Sequence, residues 1–300
     1  MSFLLKIYLI GIKLKSGQIE KLIFLHPFIK SVSIIENDNV FFYPFYFLYL
    51  YDYLDCSDNQ DIDSKNLSLS LSPIQNHSLK VLEIDLYQSK SLNLEKLVSF
   101  FVGFSMLQEL CLVNANLKEK DAPLMNRGLS QLNKLKLLNL SGNFEINSPF
   151  INHALPEAIY SCLKTLYLDY TQVDQDLDLF KFKRLTCLVL RKCKKLNYLL
   201  IQKISESRLA ETLKILDLSY DKGLFSEINK KSKNELLVFE GKDKFTFYIS
   251  QLRSLEQLMM IDCIRYQLLE TYISQIQKFF HQCQKKNIEI GGGEGTCIVM

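Results

Sequence analysis

The sequence predicts an α/β solenoid: a parallel β-sheet on one side, helices on the other, and a chain that passes through both layers once per repeat. Three observations carry this. A six-residue unit, Leu-x-x-Leu-x-Leu, recurs along the chain; successive units from Leu79 to Leu213 are spaced 28 or 22 residues apart; and intervening segments carry apolar residues at helical spacing. Within the unit the last two leucines alternate at period two, so they face the same side of a short strand. The first leucine, three residues earlier, meets the same core where the chain turns in.

The clearest rows are Leu79/Leu82/Ile84, Leu107/Leu110/Leu112, Leu135/Leu138/Leu140 and Leu163/Leu166/Leu168. Leu185/Leu188/Leu190, Leu213/Leu216/Leu218 and Leu255/Leu258/Met260 follow. Starts from Leu79 to Leu213 are 28, 28, 28, 22 and 28 residues apart. Weaker rows precede them: Ile7/Ile10/Ile12, then Ile29/Val32/Ile34 with Asn37, then Tyr51/Leu54/Cys56 with Asn59. A degenerate row is expected at Lys233/Leu236/Val238 with Gly241, beside a Lys230–Lys233 run that reads as a solvated insertion. Leu94, Leu97, Val98 and Phe101 fit a helical return. Leu268 to Phe280 form a longer amphipathic pattern, and Ile288 and Ile290 a last strand; together they suit a cap over the open core. The expected organisation is a repeat domain over 1–290 and a flexible glycine-rich tail over 291–300. Within the domain, weak rows run 1–78, strong rows 79–228, the degenerate row 229–254, and the final row with its cap 255–290.

Composition agrees with a packed array. Hydrophobic residues make up 48% and charged residues 23%, enough to bury a continuous core, and the net charge of +3 implies no strong nucleic-acid field. The eight cysteines form no C-x-x-C pair and have no histidine at zinc-ligand spacing, so buried reduced thiols in a reducing, intracellular compartment are expected. Ser2–Ile12 is interrupted by Lys6, and Val40–Leu50 is short and contains Pro44, so neither reads as a signal or a membrane span.

Three residues beyond each strand's last apolar position stand Ala115, Asn143, Thr171, Cys193, Asp221 and Cys263. A buried polar side chain there can satisfy backbone groups of adjoining turns; Ala115 cannot, so its turn should be less well tied. With these positions added to the rows, the chain resembles the leucine-rich-repeat family, in its ribonuclease-inhibitor-like and cysteine-containing types. The resemblance implies a horseshoe with the parallel sheet on the concave face and helices on the convex face, binding a protein on the concave side. Similar horseshoes include the GTPase-activating protein for Ran and substrate receptors of ubiquitin ligases, so a regulatory subunit is the alternative to a scaffold or adaptor. No F-box-like or kinase-like segment is visible at either end.

In this register the outward strand positions combine, mid-array, Tyr167, Asp169, Arg191 and Asp217, with Tyr170 and Tyr220 where the strands leave the sheet. Tyrosine and arginine often dominate interfaces, so these six are the expected protein-binding residues. Early rows are acidic (Asp52, Asp55, Asp58, Asp61, Asp63, Glu83, Asp85) and Arg191–Lys195 is basic, a gradient that can orient a partner.

The final residues, Cys297-Ile298-Val299-Met300, match a prenylation box in which methionine favours farnesyl, and the preceding glycines supply flexible reach. One isoprenoid holds a protein only marginally to a membrane, so reversible, peripheral attachment of a cytoplasmic protein through Cys297 is expected. His26, His77, His153 and His281 are dispersed, and P-loop, H-E-x-x-H and G-x-S-x-G patterns are absent. The chain is therefore expected to be non-enzymatic, with a protein partner and no cofactor, metal, nucleic acid or small-molecule substrate.

Overall fold

The computed structural model describes residues 6–10, 31–35, 54–57, 80–85, 94–102, 104–221, 247–260, 288–292 and 295–299. The chain divides into two compact units, one of residues 1–143 and 153–159, the other of 144–152 and 160–300.

In the first unit six strands pair in chain order, all parallel: β1 (Lys6–Ile10), β2 (Ser31–Ile35), β3 (Leu54–Ser57), β4 (Val81–Asp85), β5 (Glu109–Val113) and β6 (Leu137–Asn139). Equivalent repeat positions stand opposite one another, as in Leu82↔Leu110 and Leu110↔Leu138. Parallel neighbours require a crossover, and the residues between rows supply it. Helix α1 (Leu94–Phe101) follows β4, and α2 (Ala122–Leu129), with Pro123 in its first turn, follows β5. The two helices meet closely at Gly128, where an added Cβ would stand 2.9 Å from side-chain atoms of both Phe101 and Val98. Leu107, Leu110, Leu112, Leu135, Leu138 and Leu140 are each 0% exposed. Burying each such leucine contributes about 1.5–3 kcal/mol relative to leaving it in water.

The second unit repeats the plan. β7 (Thr165–Tyr167), β8 (Cys187–Val189), β9 (Ile215–Asp217), β10 (Gln257–Met259) and β11 (Ile288–Gly292) are parallel, with Leu166↔Leu188, Leu188↔Leu216 and Leu258↔Leu216 aligned. The 28-residue row beginning at Leu185 returns through α5 (Tyr198–Glu206) and α6 (Leu209–Thr212). Asn197 starts the first of these by accepting the Leu199 N–H at 3.0 Å. The 22-residue row beginning at Leu163 has room only for a single 3-10 turn, Leu179–Lys181, which still buries Val173, Leu177, Leu179 and Phe182. Helices α3 (Ser148–Ala154) and α4 (Glu157–Cys162) lie between β6 and β7 in the chain.

Backbone bonds tie each row to the next at fixed positions. Lys80 O accepts from Gln108 N and Glu109 N at 2.7 and 3.0 Å, and Thr186 O accepts from Lys214 N and Ile215 N at the same two distances. Past the strands, Asn114, Tyr170, Lys192 and Tyr220 all turn through left-handed backbone with φ between 52° and 66°. Gly142 does so at φ 76°, and a Cβ there would lie 1.9 Å from Asn114 Oδ1, so glycine alone fits that corner. Left-handed geometry disfavours tyrosine and lysine by about 1–2 kcal/mol each. Row-to-row bonds hold it: Tyr170 N donates to Arg191 O at 2.8 Å and Lys192 N to Ser219 O at 3.1 Å.

Two expectations need correction. β9 bonds directly to β10, so the row expected within 229–254 at Lys233/Leu236/Val238 has no place between them in the sheet. Its residues lie outside the described ones, as does the expected helix over 268–280. The expected flexible tail over 291–300 is also revised. Gly291 and Gly292 belong to β11, and β12 (Gly295–Val299) pairs back onto it antiparallel, with Cys297 opposite Ile290. Only Gly293 and Glu294 separate the paired ends, and a glycine-containing two-residue link is the composition tight hairpins favour.

Candidate binding surface

The position three residues past each row's last leucine bonds backbone groups inside each unit. Asn143 is fully buried; its Nδ2 donates to Leu112 O at 2.9 Å and Leu140 O at 2.7 Å, while its Oδ1 accepts from Leu117 N at 3.1 Å. By reaching back to Leu112 it ties the turn that Ala115 leaves untied, so that turn is not the loose one the sequence implies. Thr171 Oγ1 donates to Leu168 O at 2.7 Å, and Cys193 Sγ reaches the same carbonyl at 3.1 Å. Asp221 is also fully buried, yet among the described residues neither carboxylate oxygen has a hydrogen-bond partner. Burial pushes its acid up to about 9, against the nearby Cys193 backbone, which favours the charged form; Asp217 and Asp169 add to the rise.

The six expected binding residues fall into two groups, both in the second unit. On the strand face stand Tyr167, Asp169, Arg191 and Asp217. Arg191 Nε pairs with Asp217 Oδ2, and Asp217 Oδ1 accepts from Ser219 N at 2.9 Å. Asp169 Oδ1 accepts from Arg191 N at 3.1 Å. Burial raises the Asp169 acid to about 6; the Arg191 backbone bond and charge oppose the rise, and Asp217 reinforces it. This face is more covered than the alternating pattern implies. Cys187 is 9% exposed, Val189 3%, Asp217 0% and Ser219 1%. Asp217 therefore touches no partner directly, because Arg191 lies across it; its role is to hold that guanidinium.

The other group forms a ridge at the left-handed corners. Lys192 Nζ sits 4.5 Å from the Tyr170 ring centroid and 5.2 Å from that of Tyr220, and bonds the Tyr170 hydroxyl. Phe144 meets Tyr170 edge to face, centroids 6.2 Å apart at 86°. Phe144 is 61% exposed and Tyr220 40%. Sequence reasoning places Lys192 at this edge with Tyr170 and Tyr220 but leaves it out of the binding set, and it does not single out Phe144. The signal was available for both: Lys192 shares the corner position of Tyr170 and Tyr220, and Phe144 directly follows Asn143.

The expected lipidation residue, Cys297, lies in β12, far along the chain from this cluster. Among the described residues no group of three or more His, Cys, Asp or Glu is placed to hold a metal ion, and no helix is long and apolar enough to cross a membrane. Cys111, Cys162, Cys187 and Cys193 are in the reduced, thiol form. Burial raises the last three, Cys187 to about 12, the opposite of the lowering that activates a cysteine nucleophile.

No family model matches the chain, and no curated protein does. Solved structures do. The chain is similar to TLR13 in its complex with ssRNA13, at 17% identity and a TM-score of 0.45, over 79% of this chain and 26% of that one. The C-terminal domain of Caenorhabditis elegans tropomodulin matches at 7% identity and 0.34, over 64% of this chain and 96% of the other. Leiomodin-1 actin-binding site 2 matches at 10% and 0.33, over 62% and 88%. The chain thus spans about a quarter of the TLR13 chain it matches.

Proposed function

We propose that this chain is a non-enzymatic, cytoplasmic scaffold or adaptor that binds a protein partner through the strand face and corner ridge of its second unit. The proposal takes that face as the concave side of a horseshoe, as the repeat resemblance implies. One observation carries it: Tyr167, Asp169 and Arg191 stay partly exposed, with Arg191 already fixed by buried Asp217, beside a ridge of Tyr170, Lys192 and Tyr220. Groups ordered before binding lose little conformational freedom when a partner arrives, and tyrosine and arginine are the types that most often anchor interfaces.

The test is photo-crosslinking of the full chain in cells. A crosslinking residue at position 167 or 220 is expected to capture a discrete protein, whereas one at Phe180, an exposed apolar residue of the return segment, captures none. Capture only from position 180 overturns the assignment. In the same samples Tyr167→Ala is expected to lower partner recovery roughly tenfold or more, the scale of an interface hot spot.

The membrane part of the proposal rests on the Cys297-Ile298-Val299-Met300 sequence and requires Met300 to be terminal in the cell. Because Cys297 pairs with Ile290, a transferase reaches it only when the hairpin opens. The C-terminal peptide from native cells is expected to lack the last three residues and to carry an isoprenyl mass on Cys297. A free thiol with those residues intact removes membrane attachment and leaves the binding proposal standing.

A further inference from the structure

Resting on that binding proposal, we infer that the corner ridge of the second unit is a docking site for an acidic protein segment, one whose carboxylates flank an aromatic or long aliphatic side chain. The ridge and the strand face offer different chemistry. On the face, the cation is spent: Arg191 is paired with Asp217, and Asp169 stands beside it. On the ridge, apolar surface and unspent charge lie together. Phe144 and Tyr220 are the exposed large hydrophobics there, each in contact with the shared core of Tyr170 and Lys192. Lys194 and Lys195, two and three residues past Lys192 in the chain, are exposed, and among the described residues neither makes an ion pair. A segment laid along these corners would cover Phe144 and Tyr220 and bring its carboxylates to two lysines that, among the described residues, have no ion-pair partner to lose. Rim charges of this kind raise association rates and set the sign of the partner.

A single-stranded nucleic acid would seek the same lysines, but the aromatic geometry argues against it. Such ligands stack successive bases on open ring faces. Here Phe144 and Tyr170 meet at 86°, so their faces form no common platform, and Lys192 lies within 4.5 Å and 5.2 Å of the Tyr170 and Tyr220 ring centroids.

The full chain is used to select from a random twelve-residue peptide library displayed on phage, and the peptides recovered are synthesised and measured by fluorescence anisotropy. Enrichment of Asp and Glu around a Phe, Tyr, Leu or Met is expected. Affinity should fall at least tenfold for Lys194→Glu/Lys195→Glu and for Phe144→Ser, and should weaken as salt rises. The inference is overturned if the peptides carry no acidic bias, if they bind the ridge variants as well as the parent, or if a twelve-nucleotide oligouridylate binds more tightly and displaces them. Peptides that depend on Tyr167 but ignore the ridge variants end this inference and sustain the scaffold proposal. Recovery of no peptide ends the inference, while in-cell crosslinking at position 167 still decides the proposal. Phe144 is largely solvent-exposed and both lysines are exposed, so circular dichroism of the variants is expected to match the parent.

Discussion

Asn143→Ala is expected to lower the unfolding free energy by about 3 kcal/mol, close to 1 kcal/mol for each buried group left without a partner. Those groups are Leu112 O, Leu140 O and Leu117 N, which sit on two consecutive rows and all bond one amide side chain. Water cannot replace the amide cheaply, because Asn143 is 0% exposed among Leu112, Leu117 and Leu140, themselves almost wholly buried. Urea unfolding measures the total loss. Amide hydrogen exchange locates it, with protection at Leu117 expected to fall first. A loss below about 0.5 kcal/mol, within the range of an ordinary surface change, would show that these carbonyls do not depend on Asn143. Asn143→Asp keeps the acceptor for Leu117 N and removes both donors, so it should also destabilise, and more so at neutral pH than in acid.

Asp221→Asn is expected to do the reverse at the equivalent position. Asp221 brings a carboxyl group to a site where Asn143, three rows earlier, uses an amide, and among the described residues its oxygens are unbonded. Its acid stands near 9 in the folded chain against an ordinary value of 3.8. Below about pH 4 the group is protonated in both states and costs no charge burial. From there to about pH 9 the unfolded chain ionises and the folded one does not, so unfolding releases a proton and each rise in pH removes stability; above pH 9 the loss is complete. Asparagine carries no such charge and adds donors for backbone carbonyls. The substitution should therefore stabilise the second unit by about 2 kcal/mol at pH 8, the scale of relieving one poorly satisfied buried polar group, and by less at pH 5. Urea midpoints of both proteins at the two pH values test this. Parallel pH slopes for parent and variant would mean that Asp221 is ionised in the folded chain.

The two substitutions show what kind of information the repeat carries. Leucine rows are legible from sequence because each is a local pattern, three apolar residues with a strand's alternation, and because stacking forces the pattern to recur in register. All seven strong rows lie at strands, and Leu110, Leu138, Leu166, Leu188, Leu216 and Leu258 each sit at 0% exposure. The position three residues past each row's last leucine was legible too, but its partners were not. Nothing in the sequence says that Asn143 satisfies the row before it as well as its own, and so ties the turn of Ala115. The row expected over 229–254 went the other way: Leu236 and Val238 match the local pattern, yet β9 and β10 already satisfy each other's backbone. Gly291 and Gly292 likewise read as a loose tail, although glycine is compatible with a strand when a partner strand lies alongside.

The candidate surface divides along the same line. By itself the sequence determined which residues point away from the core, since period two and the row register dictate it, and so it placed Tyr167, Asp169, Arg191 and Asp217 on one face. Only the tertiary structure decided which of them remain accessible. Arg191 and Asp217 are 26 residues apart, and their pairing buries one charge to fix the other. Lys192 meets Tyr170 and Tyr220 across intervals of 22 and 28 residues because three successive corners take the same left-handed turn. Outward direction is a property of one strand, whereas exposure depends on what the neighbouring rows lay across it, and that is set by contacts a full repeat apart.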